Sequence, residues 1–293
     1  MKIIITIPAY NEEKTIGKVI TDIIEVMKQA NYDYQILVVD DGSSDKTAEI
    51  SKNLGATVYS HPKNYGLAET FRTEIDKCLK LGADIIVHTD ADGQYLAKDI
   101  PKLIKEIEKG NDLVLGSRFK GEIEHMPLIK KWGNMAFSKV ISNIVGLKIT
   151  DAQTGYRAFT KEVAHKIDLR STHTYTQEQI IHAVREKFKI KEIPIFFARR
   201  DGNSRLIKNP FGYAIRAWIN IIRTYRDYEP LKLFGRAGTF LIVPGLIIGF
   251  WLLYLFLKTG RVRHIGSAIL SVLLIMVGIQ IISFGLLADM KKK

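Results

Sequence analysis

Apolar positions recur with two different periods along the first part of the chain. Residues 3–8, 34–40, 84–89 and 113–117 are short runs rich in Ile, Val and Leu, as strands buried on both faces of a parallel sheet require, and residues 56–60 read as a further short strand. Between them the period lengthens. Residues 12–30 set Ile16, Val19, Ile20, Ile23, Ile24 and Met27 on one helical face, residues 45–54 follow the cap-like Ser43-Ser44-Asp45, and residues 67–81 and 97–109 complete the series. Strands alternating with helices predict an α/β domain around a parallel sheet.

Near the C-terminus the alternation gives way to unbroken apolarity. Residues 237–257 and 265–288 contain no charged side chain, and each run is long enough to cross a hydrocarbon core of ~30 Å as a helix. Residues 258–264 are too few to form a domain, so the two spans predict a transmembrane hairpin with both ends on one side. Just before it, residues 208–227 place Phe211, Ile215, Trp218, Ile222 and Tyr225 on one helical face and Arg216, Asn220, Arg223 and Asp227 on another. That is the pattern of an interfacial helix, and residues 129–145, with Trp132, are a second candidate. The expected organisation is 1–206 as the α/β domain, 207–232 as a juxtamembrane amphipathic helix and 233–293 as the hairpin with its basic tail.

Charge and cysteine content narrow the setting. The chain has 293 residues and a formal net charge of +12, which an anionic membrane surface or substrate explains with fewer assumptions than nucleic acid. A single cysteine, Cys78, rules out an internal disulfide and a Cys-rich zinc site. The first strand starts at residue 3 with no charged-then-apolar leader, so the α/β domain is expected in the cytoplasm. Arg216, Arg223, Arg226, Lys232, Arg236 and Lys291 to Lys293 flank the spans on that side, while Lys258, Arg261 and Arg263 in the turn weigh against it. A lone hairpin can also pack with copies of itself, which leaves a homo-oligomer open.

In open α/β sheets ligands bind beyond the carboxyl ends of the strands. That rule gathers Pro8-Ala9-Tyr10-Asn11-Glu12, Asp40-Asp41-Gly42-Ser43-Ser44, Asp90-Ala91-Asp92 and Gly116-Ser117-Arg118 at one rim. Asp90 and Asp92, one residue apart, can face a single divalent cation, and Gln94 can add a neutral oxygen. An all-oxygen set suits Mg2+ or Mn2+ completed by substrate phosphates. Taken alone, Asp-x-Asp-Gly is also ordinary turn chemistry. Tyr10 can pack on a base and Asp40 can accept hydrogen bonds from a base or ribose, so the rim suggests a nucleotide diphosphate site. No P-loop motif is present, and no Gly-x-Gly-x-x-Gly follows the first strand. A receiver domain would leave Asp90 to Gln94 and the hairpin unexplained. His61, His88, His125 and His182 share no metal-ligand spacing and are expected to be structural or surface groups.

Residues 7–12, 38–45, 64–68 and 90–94 together resemble the family-2 glycosyltransferases of the GT-A fold. Gly116-Ser117-Arg118, residues 151–159 and residues 199–205 resemble more closely the dolichyl-phosphate mannose synthase group and bacterial relatives acting on undecaprenyl phosphate. The resemblance spans about residues 3–206. It implies a Rossmann-like, mostly parallel sheet with interfacial helices. The nucleotide sugar would lie on residues matching Pro8, Tyr10, Glu12, Val38, Asp40, Asp90 and Ala91, and the metal on Asp90, Asp92 and Gln94. Asp92, Arg118, Arg199 and Arg205 would act in catalysis, with Arg118, Arg199, Lys130 and Lys131 toward the lipid phosphate. Lys130 and Lys131 stand where the family usually has an arginine, and Leu67 where many members have lysine.

The implied reaction is inverting transfer of one sugar from GDP-mannose or a UDP-hexose to a dolichyl or undecaprenyl phosphate. Such an acceptor, with a second pKa near ~6, is already a nucleophile at neutral pH and needs no general base. The rivals are a synthase acting on a lipid or saccharide hydroxyl, whose processive members carry a Gln-x-x-Arg-Trp pattern absent here, and an inactive nucleotide-sugar-binding membrane protein. Glu178 resembles an acid of the family pattern or caps a helix, and Arg157 braces the rim by ion pairing or touches substrate.

Overall fold

The computed structural model describes residues 1–167, 175–199, 215, 219, 222–261 and 264–290. The chain divides into two compact units, residues 1–210 and 211–293.

The first unit is built on a seven-stranded sheet in the order β3-β2-β1-β4-β6-β5-β7. Its strands are β1 (Ile3–Ala9), β2 (Tyr34–Asp40), β3 (Thr57–Ser60), β4 (Ile85–His88), β5 (Leu113–Ile123), β6 (Arg157–Thr160) and β7 (Ile190–Phe197). β1 runs parallel to both β2 and β4, and β5 parallel to β7; β6 is antiparallel to β4 and β5. The sheet is therefore mostly parallel, as expected.

Two helix layers bury it. α1 (Ile16–Ala30) and α4 (Ile100–Glu108) bring Ile16, Val19, Ile20, Ile23, Leu103 and Ile104 onto the odd-numbered side chains of β1, Ile3, Ile5 and Ile7. Each such burial contributes ~1.5–3 kcal/mol. α3 (Leu67–Lys80) packs on β1 and β2 and touches α6 (Lys161–Lys166), which in turn touches α7 (Thr176–Arg185). α2 (Thr47–Asn53) packs beside α1.

The boundaries differ from the pattern-based reading where local hydrogen bonds intervene. α1 begins at Ile16 and not at residue 12, because Asn11 is left-handed (φ 53°). The backbone N–H groups of Glu12 and Glu13 are taken by Thr47 and Asp45 side chains. A 3-10 turn (Ala97–Asp99) precedes α4, whose first turn holds Pro101. β5 runs past residue 117 to Ile123 because, after a bulge, Glu122 and Ile123 pair with Phe196 and Phe197 of β7.

α5 (Leu128–Val145) buries Asn134, Phe137, Ser138 and Ile141 and leaves Leu128, Ile129 and Trp132 exposed, the amphipathic face expected there. In the second unit, residues 222–228 are helical, and most of the amphipathic segment expected over residues 208–227 lies outside the described residues.

α8 (Pro230–Thr259) and α9 (Ile265–Met290) are both long and apolar enough to cross a membrane. They meet through small residues. A Cβ on Gly278 would lie 2.5 Å from Ile242 and 2.7 Å from the Gly238 carbonyl, and the Ser271 hydroxyl donates to the Gly245 carbonyl at 2.7 Å. Gly238 and Gly245, and Ser271, Gly278 and Gly285, are seven residues apart, the repeat that keeps one seam facing a partner helix.

Candidate active site

The topology assembles the rim. Because β1, β2 and β4 are adjacent and parallel, residues 10–12, 41–44 and 89–92 leave the sheet side by side. The first two loops are laced together: Asp41 N–H donates to the Ala9 carbonyl at 2.8 Å, Asn11 N–H to Ser43 Oγ at 2.9 Å and Ser44 N–H to Asn11 Oδ1 at 2.9 Å. Strand β6 runs the other way and pairs Arg157 with His88 and with Leu115. Residues 151–156, which precede it, and Arg118, which follows Leu115, therefore reach the same edge.

Asp90 and Asp92 lie at the centre of this edge. Gln94 N–H donates to Asp92 Oδ1 at 3.1 Å, and the Gln94 amide nitrogen donates to the Ala198 carbonyl at 3.1 Å, so among the described residues the Gln94 carboxamide oxygen is left for another partner. Gly155 backs Asp90 so closely that a Cβ there would sit 3.0 Å from Asp90 Oδ1. Desolvation, then the charge of Asp92, pushes the Asp90 carboxyl up to about 6, against the pull of His88 and Arg118. Its side chain keeps 38% of its surface open, and a cation bound there would favour the carboxylate and pull this value back down. Among the described residues no group of three or more His, Cys, Asp or Glu side chains is arranged to hold a metal ion. Two carboxylates and one carboxamide oxygen fit a hard cation that takes its remaining ligands from water and a diphosphate.

Asp92 also lines a cavity of about 180 Å³ with Lys14, Lys18, Tyr95 and Arg199. Arg199 is exposed there, its backbone N–H held by Glu124 at 2.9 Å. The loop around residue 41 is organised from beneath: Asp41 is buried and accepts from His61 Nδ1 (2.8 Å), Tyr65 N–H (2.9 Å) and Gly66 N–H (2.8 Å). Gly42, at φ +73°, is the residue that fits here, because a Cβ would meet the Lys63 backbone at 2.6 Å.

The structure places the remaining sequence-derived candidates as follows. Tyr10 is 40% exposed beside half-buried Pro8 and Glu12. Val38, Asp40 and Ala91 are buried; Val38 and Ala91 belong to the core on the α1 side, and Asp40 accepts the Ser43 N–H at 3.1 Å. Arg118 is buried against Asp151 in a two-point ion pair, Nε to Oδ2 at 2.7 Å and Nη2 to Oδ1 at 2.8 Å. Lys130 and Lys131 occupy the first turn of α5 beside exposed Trp132. Arg205 lies outside the described residues. Arg157 is fully buried, and its guanidinium donates to the Thr154 and Thr176 carbonyls and to Gln179 Oε1. Its described hydrogen bonds are thus all to neutral groups. Glu178 is buried on α7.

Three features escaped the sequence reading. Glu192 accepts from the N–H groups of Thr150 and Asp151 and pairs with Lys120 at 3.0 Å, fixing the turn that presents Asp151. Lys14, in the turn before α1, and Lys18, in its first turn and paired with Asp22 at 2.6 Å, join the cavity. Glu74 and His88 form a fully buried pair 2.8 Å apart. Its signal was a lone carboxylate among the buried positions Phe71, Ile75 and Cys78 of α3.

A family model described as Glycosyl transferase family 2 matches residues 4–168. The UDP-N-acetylglucosamine–dolichyl-phosphate N-acetylglucosaminyltransferase of Methanococcus voltae is 37% identical over 216 residues, 66% of this chain and 84% of the relative. The dolichyl-phosphate hexose transferase of Haloferax volcanii is 31% identical, covering 76% of this chain and 93% of the relative. Among solved structures, glucosyl-3-phosphoglycerate synthase from Mycobacterium tuberculosis, in complex with Mn2+, UDP and glucosyl-3-phosphoglycerate, superposes with a TM-score of 0.58 at 18% identity. The match covers 75% of this chain and 79% of that one, and the likeness is one of fold, the GT-A fold.

Proposed function

The chain belongs to glycosyl transferase family 2, and on that premise we propose that it transfers one sugar from a nucleotide-diphosphate sugar to a polyprenyl phosphate. The observation that carries this reading is the cavity beside the end of β4, which Asp92 and Arg199 line together. A cleft with a cation site on one wall and fixed positive charge on another suits two anionic substrates brought together. The named activities of the Methanococcus and Haloferax relatives support a dolichyl-phosphate acceptor, and two apolar helices long enough to cross a bilayer support an acceptor dissolved in it.

Asp90, Asp92 and Gln94 would hold Mg2+ or Mn2+. When bound, the ion neutralises the diphosphate as it becomes a leaving group. Tyr10 offers its exposed ring to the base, on a backbone flanked by the laced residues Ala9 and Asn11. The acceptor phosphate oxygen forms the new bond to the anomeric carbon as the bond from that carbon to the diphosphate oxygen breaks. The bonding pair leaves with the nucleoside diphosphate, and the sugar carbon inverts. Arg199, with Lys14 on the same cavity, binds phosphate charge, while Lys18 there is paired with Asp22; each charge-assisted contact strengthens out of bulk water. Arg118, tied to Asp151, supplies fixed positive charge near Asp90. Lys130 and Lys131 are proposed to meet the lipid phosphate, and Arg205, outside the described residues, is proposed to act in catalysis on the family resemblance alone. The catalytic unit is assigned to the cytoplasmic face, on the positive charges that flank the spans.

The test uses purified full-length protein with a panel of GDP- and UDP-sugars, short polyprenyl phosphates and Mn2+ or Mg2+. Metal-dependent label in a mild-acid-labile lipid product is expected from one donor, and EDTA abolishes it. Asp92→Asn lowers that rate by ~100-fold or more while the unfolding midpoint stays that of the wild type. A fully active Asp92→Asn variant would remove the metal from the reading.

A further inference from the structure

The fully buried pair Glu74 and His88 has no role in the transfer step, yet it lies directly beneath one of the proposed metal ligands. His88 Nδ1 lies 2.8 Å from Glu74 Oε2, a close ionic approach; among the described residues neither Glu74 oxygen nor His88 Nδ1 has an aligned hydrogen bond. A carboxylate at Nδ1 fixes a proton on that nitrogen and turns Nε2 the other way. There Nε2 meets the Tyr175 hydroxyl at 2.6 Å and Asp90 Oδ1 at 3.9 Å. The latter distance is too long for a hydrogen bond but short enough to confine the carboxylate and act on its charge. Phe71 stacks on Tyr175 at 3.7 Å and meets His88 edge-on at 5.2 Å, so neither ring can swing away. Gly155 also closes against the same carboxylate, leaving no room for a Cβ. The Asp90 carboxylate is thus confined by His88 and by Gly155.

We infer that Glu74, His88 and Tyr175 are positioning residues that hold Asp90 in the orientation needed to bind a divalent cation. The inference rests on the metal reading of Asp90 and Asp92 given above. Buried partners of this kind typically change metal affinity by ~10–100-fold when removed. The amide of Glu74→Gln can donate to Nδ1, which drives the ring proton to Nε2 and disturbs the contact with Tyr175 and Asp90.

The experiment is a Mn2+ titration followed by electron paramagnetic resonance, on the full chain in lipid nanodiscs with saturating UDP and, separately, GDP. Glu74→Gln is expected to weaken Mn2+ binding by ~10-fold or more, and Tyr175→Phe by less, with unfolding midpoints near that of the wild type. Ile75→Ala, a cavity one residue along α3, lowers the midpoint and leaves the Mn2+ dissociation constant unchanged. If Glu74→Gln fails to fold, Tyr175→Phe decides. Wild-type Mn2+ affinity in the folded variants, with Asp92→Asn having lost it, overturns the positioning role alone. Equal weakening in Ile75→Ala reduces the role to general packing and also overturns it. Indistinguishable binding by wild type and Asp92→Asn would remove the metal site and this inference together.

Discussion

The two compact units bury opposite kinds of side chain. In the first, Ile3, Ile5, Ile7, Phe71 and Phe159 are fully enclosed. In the hairpin the enclosed positions include Gly238, Gly245, Ser271, Gly278 and Gly285, while Phe240, Leu257 and Met290 are 77%, 76% and 73% exposed. The reversal follows from the solvent. In water, apolar area is driven inward; among lipid chains that drive is absent between helices, and close backbone approach through small residues takes its place. Large residues mark the core of the catalytic unit, and small ones mark the seam of the hairpin.

The sharpest way to stress this contrast is at the buried ion pair of the catalytic unit. Arg118→Ala strands Asp151, fully buried, without its cation, and should cost ~3–5 kcal/mol in denaturant unfolding. The Arg118→Ala/Asp151→Ala double variant should lose clearly less than the sum of the two single changes. Next, Ile5→Ala should cost ~2–5 kcal/mol as a cavity in a close-packed core. In the hairpin the damaging change is an addition: Gly278→Ile should cost ~1–3 kcal/mol, read as a lower unfolding midpoint of the detergent-solubilised chain, because Ile242 and the Gly238 backbone occupy the space. Smallest is Phe240→Ala, which should stay within ~0.5 kcal/mol in a bilayer. A loss there as large as that of Ile5→Ala would show that Phe240 is packed against protein and would break the comparison.

Much of this was legible because the strong signals coincide with burial. β1, β2 and β4 are apolar runs ending in polar residues, and the spans are charge-free, so these strands, the candidate rim and the two apolar helices follow from period and punctuation. β6 was not legible: its four residues include Arg157, and it gains its place by pairing between β4 and β5, a long-range contact that leaves no local period. β7 and α7 were hidden similarly, since α7 buries Gln177, Glu178 and Gln179 beside Ile180 and Ile181. In the candidate site, Asp90 and Asp92 declared themselves by spacing. Asp151, Glu192 and the Glu74–His88 pair did not, because each acquires meaning from a partner at least 14 residues away, 33 for Arg118 and Asp151 and 41 for Glu192 and Asp151.

The most direct test of the central claim, a sugar placed on a lipid phosphate, compares a polyprenyl phosphate with the matching polyprenol as acceptors for the full-length protein. Both assays use the same active donor and Mn2+, and the products are read by mass spectrometry. The account predicts a product from the phosphate alone, carrying one sugar and releasing it in mild acid. A product from the polyprenol at a comparable rate, or sugars added in series, would contradict it.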